Sequence, residues 1–187
     1  MARLLLITPP AAEPVTVAEA NMNSHITHSV EDTLMEKWIT AGRELAEIYL
    51  RRSLINQTWE LSYDHFPRMP IALPRSPVSS ITSITYYDYE DTATVISSDN
   101  YQLDVSASPA RVGLTYGYTW PSVTLRSIDS VKIRYVAGYG AAGTSVPSVI
   151  NDAIILYCTH RSENRSGEAE EAPKQFYNTL RPKRLHL

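Results

Sequence analysis

The strongest constraint in this sequence is a change of hydrophobic period near residue 55. Upstream of it, apolar residues recur at steps of three and four, the spacing of one face of an α-helix. They are Leu34, Trp38, Ala41, Leu45, Ile48 and Tyr49. Downstream, TWELSYDHF alternates apolar and polar residues, as a half-buried β-strand does. The chain must therefore join a long helix, which begins near Ser29 and ends near residue 52, to a sheet.

Residues 55–137 are predicted to form a β-rich middle of about six short strands. After TWELSYDHF, the candidate strands are 71–73, 78–90, 94–96, 101–105, 111–116 and 130–136. They are rich in β-branched and aromatic residues and are separated by prolines and other turn formers. This spacing is typical of an antiparallel sheet or a small barrel.

Two more helices are predicted outside this middle region. Thr16 and Glu19 form a plausible capping box for a short N-terminal helix. Pro147 suits the first turn of a later helix, whose apolar face is Ile150, Ala153, Ile154 and Tyr157. The predicted fold class is α+β: a helical core with a β-rich antiparallel insertion and an extended C-terminal arm. We expect a single domain over 1–187, with a helical part (15–53 and 146–163), a β-rich part (55–137) and a flexible arm (164–187).

Composition excludes several classes of protein. The 187 residues carry 17 basic and 20 acidic side chains, a formal charge of −3, so no global positive field draws the chain to DNA or to an anionic membrane. A single cysteine, Cys158, excludes an internal disulfide framework. The opening apolar run is cut by Pro9 and Pro10, well below the length of a signal peptide or a membrane span.

Gly138, Gly140 and Gly143 spell G-x-G-x-x-G between a predicted strand and a predicted helix. In a dinucleotide fold these glycines open directly into a helix, which leads to a second parallel strand. Here three residues separate Gly143 from Pro147, and no strand pattern follows the helix. We therefore interpret the loop as a strand-to-helix connection, and keep a nucleotide-binding enzyme as the alternative from another functional class.

No catalytic or metal site is predicted. His25 and His28 could place two imidazoles on one side of a short helix, but a third ligand is not evident. Cys158 and His160 lie about 200° apart around a helix, so they cannot act as nucleophile and base. We expect no enzyme activity, no cofactor and no metal.

Aromatic residues cluster in YYDYE and LTYGYTWP. A surface that stacks single-stranded nucleic acid would interleave aromatic with basic residues, and these segments have almost no Lys or Arg. Such tyrosines more often line sheet cores or protein interfaces.

The C-terminal residues change character at Lys174. Before it the chain is small and acidic, whereas residues 174–187 have four basic residues and no carboxylate side chain. Two interpretations stay open: a disordered tail, or an arm that docks on a partner through spaced anchors. The candidate partner-binding residues are Lys174, Phe176, Tyr177, Leu180, Arg181 and Arg184.

Several segments together resemble the head-to-tail connector adaptor proteins of long-tailed bacteriophages. They are LITPPAAEPVTVAEA, INQTWELSYDHFP, IALPRSPVSSITSITYYD, YQLD, LTYGYTWP, VKIRYVAGYG and VPSVINDAIILYCTHRSENR. The resemblance runs in order from Thr8 to about Arg165. It departs from the usual pattern at NMNSHITHS, which replaces a more amphipathic segment, and the final twenty or so residues are too variable in such proteins to align.

The resemblance implies a non-enzymatic virion protein of the neck between capsid and tail, assembled in the bacterial host cytoplasm. About twelve subunits would form a closed ring that attaches to the portal protein and receives a stopper or tail-completion protein. Each subunit could be a monomer in isolation, and DNA would cross the ring only as passing cargo. A stopper or tail-completion role in the same neck is the alternative. We expect no membrane contact, and the C-terminal arm is the predicted portal contact.

Overall fold

The chain is described by a computed structural model over residues 2–165 and 172–185. It forms two compact units, each built from segments that are distant in the sequence. The helical unit contains Pro10–Ile55 and the described residues between Tyr139 and Leu185. The β-rich unit contains Asn56–Gly138 together with the N-terminal residues through Pro9. The predicted single connector domain stays a prediction.

The described part of the helical unit has four α-helices. They are α1 (Val17–Asn23), α2 (Asp32–Leu50), α3 (Ser148–Glu163) and α4 (Lys174–Leu180). The capping box before α1 is confirmed: the Thr16 hydroxyl accepts the Glu19 N–H at 3.2 Å, and a Glu19 carboxylate oxygen accepts the Thr16 N–H at 2.7 Å. Helix α2 begins three residues later than predicted, after Glu31, whose side chain makes no capping hydrogen bond.

Helices α2 and α3 pack closely because the contact on α2 is a glycine. A Cβ added to Gly42 would lie 2.9 Å from Cδ1 of Tyr157 and 3.3 Å from Cγ2 of Ile154. These two residues lie on the predicted apolar face of α3, and both are buried. The same core also takes in Met35, Ile39, Leu50, Ala153, Phe176 and Leu180.

The β-rich unit has eight described strands in two antiparallel sheets. They are β1 (Arg3–Thr8), β2 (Gln57–Tyr63), β3 (Ile71–Ala72), β4 (Val78–Tyr87), β5 (Ala93–Val95), β6 (Tyr101–Asp104), β7 (Arg111–Leu114) and β8 (Val131–Ala137). The larger sheet has the order β1-β2-β8-β4-β5, and the smaller has the order β3-β7-β6. Within the described residues neither sheet closes into a barrel.

Alternation along the central strands divides the large sheet into an apolar and a polar face. Trp59 pairs with Tyr135, and Leu61 pairs with Ile133, on the face that joins the core of this unit. Between them Glu60 pairs with Arg134 on the opposite face, where its carboxylate accepts hydrogen bonds from Arg134 at 2.6 Å and from Lys132 at 2.9 Å. The period of two therefore gave the correct face for each residue of β2.

The α+β class is confirmed, and the antiparallel sheet replaces the alternative of a small barrel. The number of strands was underestimated, chiefly because β1 was missed. Its central residues Leu4–Ile7 are all apolar and do not alternate with polar residues, so the strand carries no period-two signal.

The prediction of an extended C-terminal arm is wrong. The described residues from Lys174 form a helix and a 3₁₀ turn, Arg181–Lys183, instead of an extended chain. Their apolar side chains join the core of the helical unit, and this burial holds the segment in place.

Candidate functional site

Other residues of the protein fill the space beside the glycines of the G-x-G-x-x-G loop. Gly138 has a φ of 149°. A Cβ on Gly143 would collide with the carbonyl oxygen of Pro14, and one on Gly140 with the side chain of Ser145. The N–H of Val146 is used within the turn, bonding the carbonyl of Gly143 at 3.0 Å. The interpretation of a connection that needs positive φ and close packing is confirmed.

The other candidate reactive groups are also placed unfavourably for chemistry. Cys158 is fully buried in the helical core, where burial raises the pKa of its thiol to about 12, so it is not a thiolate at neutral pH. His25 and His28 lie beyond the last residue of α1, so the expectation that a helix aligns them is wrong. Over residues 2–165 and 172–185, no group of three or more His, Cys, Asp or Glu side chains is placed to hold a metal.

Helix α4 is part of the helical core. Phe176 and Leu180 have no exposed surface. The Phe176 ring lies 5.9 Å from that of Tyr157 and 5.2 Å from that of Tyr177, which in turn lies 5.1 Å from the Tyr49 ring of α2. Aromatic pairs at these separations add to the energy of burial. In this conformation Phe176 and Leu180 therefore pack inside the chain and are not available as anchors.

The same packing gathers basic residues into one surface. Leu185 donates its N–H to the carbonyl of Leu50 at 3.0 Å, which brings the end of the chain against the end of α2. We call the resulting cluster the basic C-terminal surface. It consists of Arg51, Arg52, Arg181, Lys183 and Arg184.

Two contacts hold the basic C-terminal surface together. The Arg52 Nε donates to the Lys183 carbonyl at 2.9 Å, and the Arg184 guanidinium lies 5.0 Å from the centre of the Tyr49 ring. The positive charges also lie near the C-terminal end of α2, where the helix dipole favours cations. Within the described part of the chain, no carboxylate pairs with Arg51, Arg181, Lys183 or Arg184. Positive charge is therefore available to a partner in an otherwise acidic protein.

A buried ion-pair network fixes the end of α2 from inside. Arg43 is 6% exposed; its Nε lies 2.8 Å from the Glu13 carboxylate, and its Nη1 lies 3.2 Å from that of Glu47. Glu47 also accepts the N–H of Leu54 at 2.8 Å, which fixes the turn after the helix. Burial alone would lower the pKa of Arg43, but Glu13 and Glu47 outweigh it and raise that pKa, so the charge is retained.

The six predicted partner-binding residues thus separate into two groups. Lys174 and Arg181 are exposed, and Arg184 and Tyr177 are partly exposed, whereas Phe176 and Leu180 are buried. Arg51 and Arg52 also belong to the basic C-terminal surface, although they are not among the predicted partner-binding residues. No local signal could place them beside Arg184, because about 130 residues intervene. Partner binding by this segment stays a prediction.

The aromatic clusters of the β-rich unit have mixed surroundings. Trp120 stacks on Phe66 with ring centres 4.8 Å apart and donates its indole N–H to the Pro67 carbonyl at 2.8 Å. Tyr116, by contrast, stands fully exposed in the Thr115–Tyr118 turn, where Gly117 has a φ of 82°. The clusters therefore contribute both core packing and a surface aromatic residue.

None of the described helices combines the length and the apolar character that a membrane crossing requires.

Comparisons with known proteins identify the fold. No family model matches the sequence, and no curated protein matches it significantly. Among solved structures, a chain of the neck of an empty gene transfer agent particle, computed with C6 symmetry, has a TM-score of 0.81 and 19% identity. The similarity covers 99% of this chain and 96% of that one.

Two further structures agree with it. A chain of the virion of a native gene transfer agent particle has a TM-score of 0.82 and 19% identity, over 98% of this chain and 96% of that chain. A chain of the neck of a native particle, computed with C12 symmetry, has a TM-score of 0.77 and 20% identity, over 100% and 96% respectively. The protein therefore shares its whole fold, both units included, with chains of these particles.

Proposed function

We propose that this protein is a structural subunit of the neck of a phage-like particle, where a ring of identical copies joins the capsid to the tail. The observation that carries the proposal is the fold similarity to neck chains, which extends over 99% of this chain and 96% of the other at a TM-score of 0.81. An enzyme would need a reactive site, and the glycine loop and Cys158, its strongest candidates, serve packing.

Within the neck we assign the chain to the adaptor, the ring that sits directly on the portal and lets DNA pass through its centre. The order of sequence segments that resemble adaptors supports this choice over a stopper or tail-completion protein. A net charge of −3 suits a ring through which DNA slides, because many phosphate contacts would hold the DNA in place.

The basic C-terminal surface is the proposed portal contact. Arg181 and Lys183 are exposed, and no carboxylate of the described chain neutralises them. Charged side chains at a contact steer partners together and fix their orientation. The surface therefore fits an acidic face on the portal. This contact does not use Phe176 and Leu180, which were predicted as anchors, because both side chains are buried in the core.

Electron microscopy of the purified chain mixed with its cognate portal tests the assignment. We expect a ring of the chain seated directly on the portal. A ring that joins only after another neck protein has bound would instead identify a stopper, and no association with any neck component would reject the proposed function. A nucleotide-binding titration of the purified chain should give no binding, whereas the alternative of a nucleotide-binding enzyme requires it.

Charge reversal tests the contact itself. Arg181→Glu should weaken portal binding at least tenfold at low salt, and the difference should shrink as salt screens the surface. Lys37→Glu is the matched control, since Lys37 is an exposed basic residue on α2 and the charge change is the same. Equal binding by the two variants would remove the basic C-terminal surface from the portal contact.

A further inference from the structure

The N-terminal strand β1 is an apolar strand with one open edge. It pairs with β2 on one side, and among the described residues no strand pairs with its other side. Leu5, Leu6 and Ile7 are exposed by 46%, 40% and 38%. Edge strands in soluble proteins are normally protected by charges, prolines or short length, because an open edge is a template for pairing. The apolar run Leu4–Ile7 contains neither a charge nor a proline.

The opposite edge of the same sheet is also open among residues 2–165 and 172–185. Strand β5 has three residues, all exposed, with Val95 at 63%. Neighbouring strands of this five-stranded sheet are antiparallel at every step, so β1 and β5 run in the same direction. Each copy of the chain thus has two different open edges, at opposite ends of one sheet.

Ring symmetry determines how two such edges can meet. A cyclic ring needs two different, complementary surfaces on each copy, whereas a two-fold dimer joins a surface to itself. Because β1 and β5 run in the same direction, rotating one copy onto the next brings β1 beside β5 as a parallel pair. A two-fold dimer would instead bring β1 against β1.

We infer that the open edge of β1 is a contact between copies of this chain, and that it pairs with the β5 edge of the neighbouring copy in the ring. This inference rests on the proposed ring. Its occupant is a second copy, because the same sheet supplies both edges in the orientation that rotation requires. The contact buries Leu5 on the face that carries Ala93 and Val95.

The strand registers within the sheet show which side chains of β1 and β5 lie on the same face. Leu5 lies opposite Glu60, and Val95 lies opposite Thr85, which pairs with Lys132. Glu60 and Lys132 point to the same face of the sheet, as their hydrogen bond of 2.9 Å requires. Leu5, Ala93 and Val95 therefore project from one face, as a side-chain contact between the two strands across the junction requires.

Disulfide trapping tests this geometry. The full chain with Leu5→Cys and Val95→Cys, and a second version with Leu5→Cys and Ala93→Cys on the same face, are each mixed with the cognate portal and oxidised, and the products are separated without reductant. Cys158 is the only native cysteine and is buried, so it does not compete. We expect a ladder of covalent oligomers. Leu5→Cys combined with Thr94→Cys is the matched control, because Thr94 points to the other face, and its yield should fall at least fivefold.

Two outcomes would overturn the inference. If Leu5→Cys alone gives a covalent dimer in high yield, β1 pairs with itself in a two-fold contact. If neither Leu5→Cys/Val95→Cys nor Leu5→Cys/Ala93→Cys gives oligomers above the level of the Thr94→Cys control, the two edges do not meet. A chain that fails this test but still forms a ring on the portal would keep the proposed function and lose only this contact.

A charged substitution on β1 is an independent test of the contact. Leu5→Lys should reduce assembly of the ring on the portal severalfold, because it puts a cation into the junction. Val105→Lys is the control, since Val105 is 61% exposed in the same unit but lies outside both edge strands. Equal losses from the two lysines would contradict a contact at β1.

Discussion

The helical unit and the β-rich unit differ in how many large apolar side chains they expose. In the helical unit, segments from both ends of the sequence close one core, and even Phe176 and Leu180 of the last helix have no exposed surface. Among the described residues the helical unit exposes five large apolar side chains, Met22, Val30, Leu34, Ile48 and Val149. The β-rich unit exposes nine, at its edges and loops, and three of them follow one another on β1. The nine are Leu5, Leu6, Ile7, Tyr89, Val95, Val105, Tyr116, Val123 and Ile128.

The surfaces that result differ in kind. The helical unit presents unneutralised positive charge, and the β-rich unit presents apolar edges. Apolar contacts suit surfaces that stay buried between copies, whereas charged contacts give orientation and speed when one component docks on another. The comparison therefore predicts that stability and assembly depend on different residues in the two units.

The largest expected effect is a loss of stability at Leu180, which we compare with the same change at Leu5. Leu180→Ala removes a fully buried side chain and should lower the free energy of unfolding by about 3 kcal/mol. Leu5→Ala removes a side chain that is 46% exposed, and should cost about 1 kcal/mol or less. Denaturant titration of the purified chain measures both. Similar losses would contradict the contrast between the units, and a negligible loss for Leu180→Ala would restore the flexible arm.

The buried network of α2 should be nearly as sensitive. Arg43→Met removes the guanidinium that lies 3.2 Å from the buried Glu47 carboxylate, and we expect a loss of about 3 kcal/mol in the free energy of unfolding. Lys37→Met on the exposed face of the same helix is the control and should change stability by no more than about 0.5 kcal/mol. Equal effects would mean that the ion pair does not hold the end of α2.

In the β-rich unit the corresponding buried charge is Glu60. Burial alone raises its pKa, but hydrogen bonds from Lys132 and Arg134 outweigh it and hold the pKa of Glu60 below its ordinary value. The carboxylate therefore stabilises the fold above the unfolded pKa of about 4.3, and this contribution disappears as the pH falls through the lower folded pKa.

Glu60→Gln should cost about 1–2 kcal/mol of unfolding free energy at pH 7 and reduce the loss of stability on acidification from pH 5 to pH 3. Denaturant titrations across this range compare it with the wild type and with Glu36→Gln, a change at an exposed position of α2. An unchanged pH profile in Glu60→Gln would assign the acid sensitivity to other carboxylates.

The smallest effect concerns the contact of α2 with α3. Gly42→Ala gains helix propensity of about 1 kcal/mol, but its Cβ would lie 2.9 Å from the Tyr157 ring and force the helices apart. We expect a net loss of about 1 kcal/mol, measured by thermal or chemical unfolding. Gly42→Ala combined with Tyr157→Leu should lose less than the sum of the two single changes, since the collision is removed. Strict additivity would mean that the two residues do not meet.

Local patterns in the sequence determined much of this protein. The period of three and four gave α2, alternation gave β2 and the face on which each of its residues lies, and Thr16 with Glu19 gave the start of α1. These features depend on neighbours within a few residues, so the sequence alone specifies them.

Tertiary structure decided the rest. Strand β1 has no alternation and is a strand only because β2 pairs with it, and α4 is ordered because Phe176 and Leu180 find a core built by α2 and α3. The basic C-terminal surface exists only because Leu185 meets Leu50. Contacts between residues so far apart leave no trace in local spacing, since their energy is gained only when the whole chain has folded.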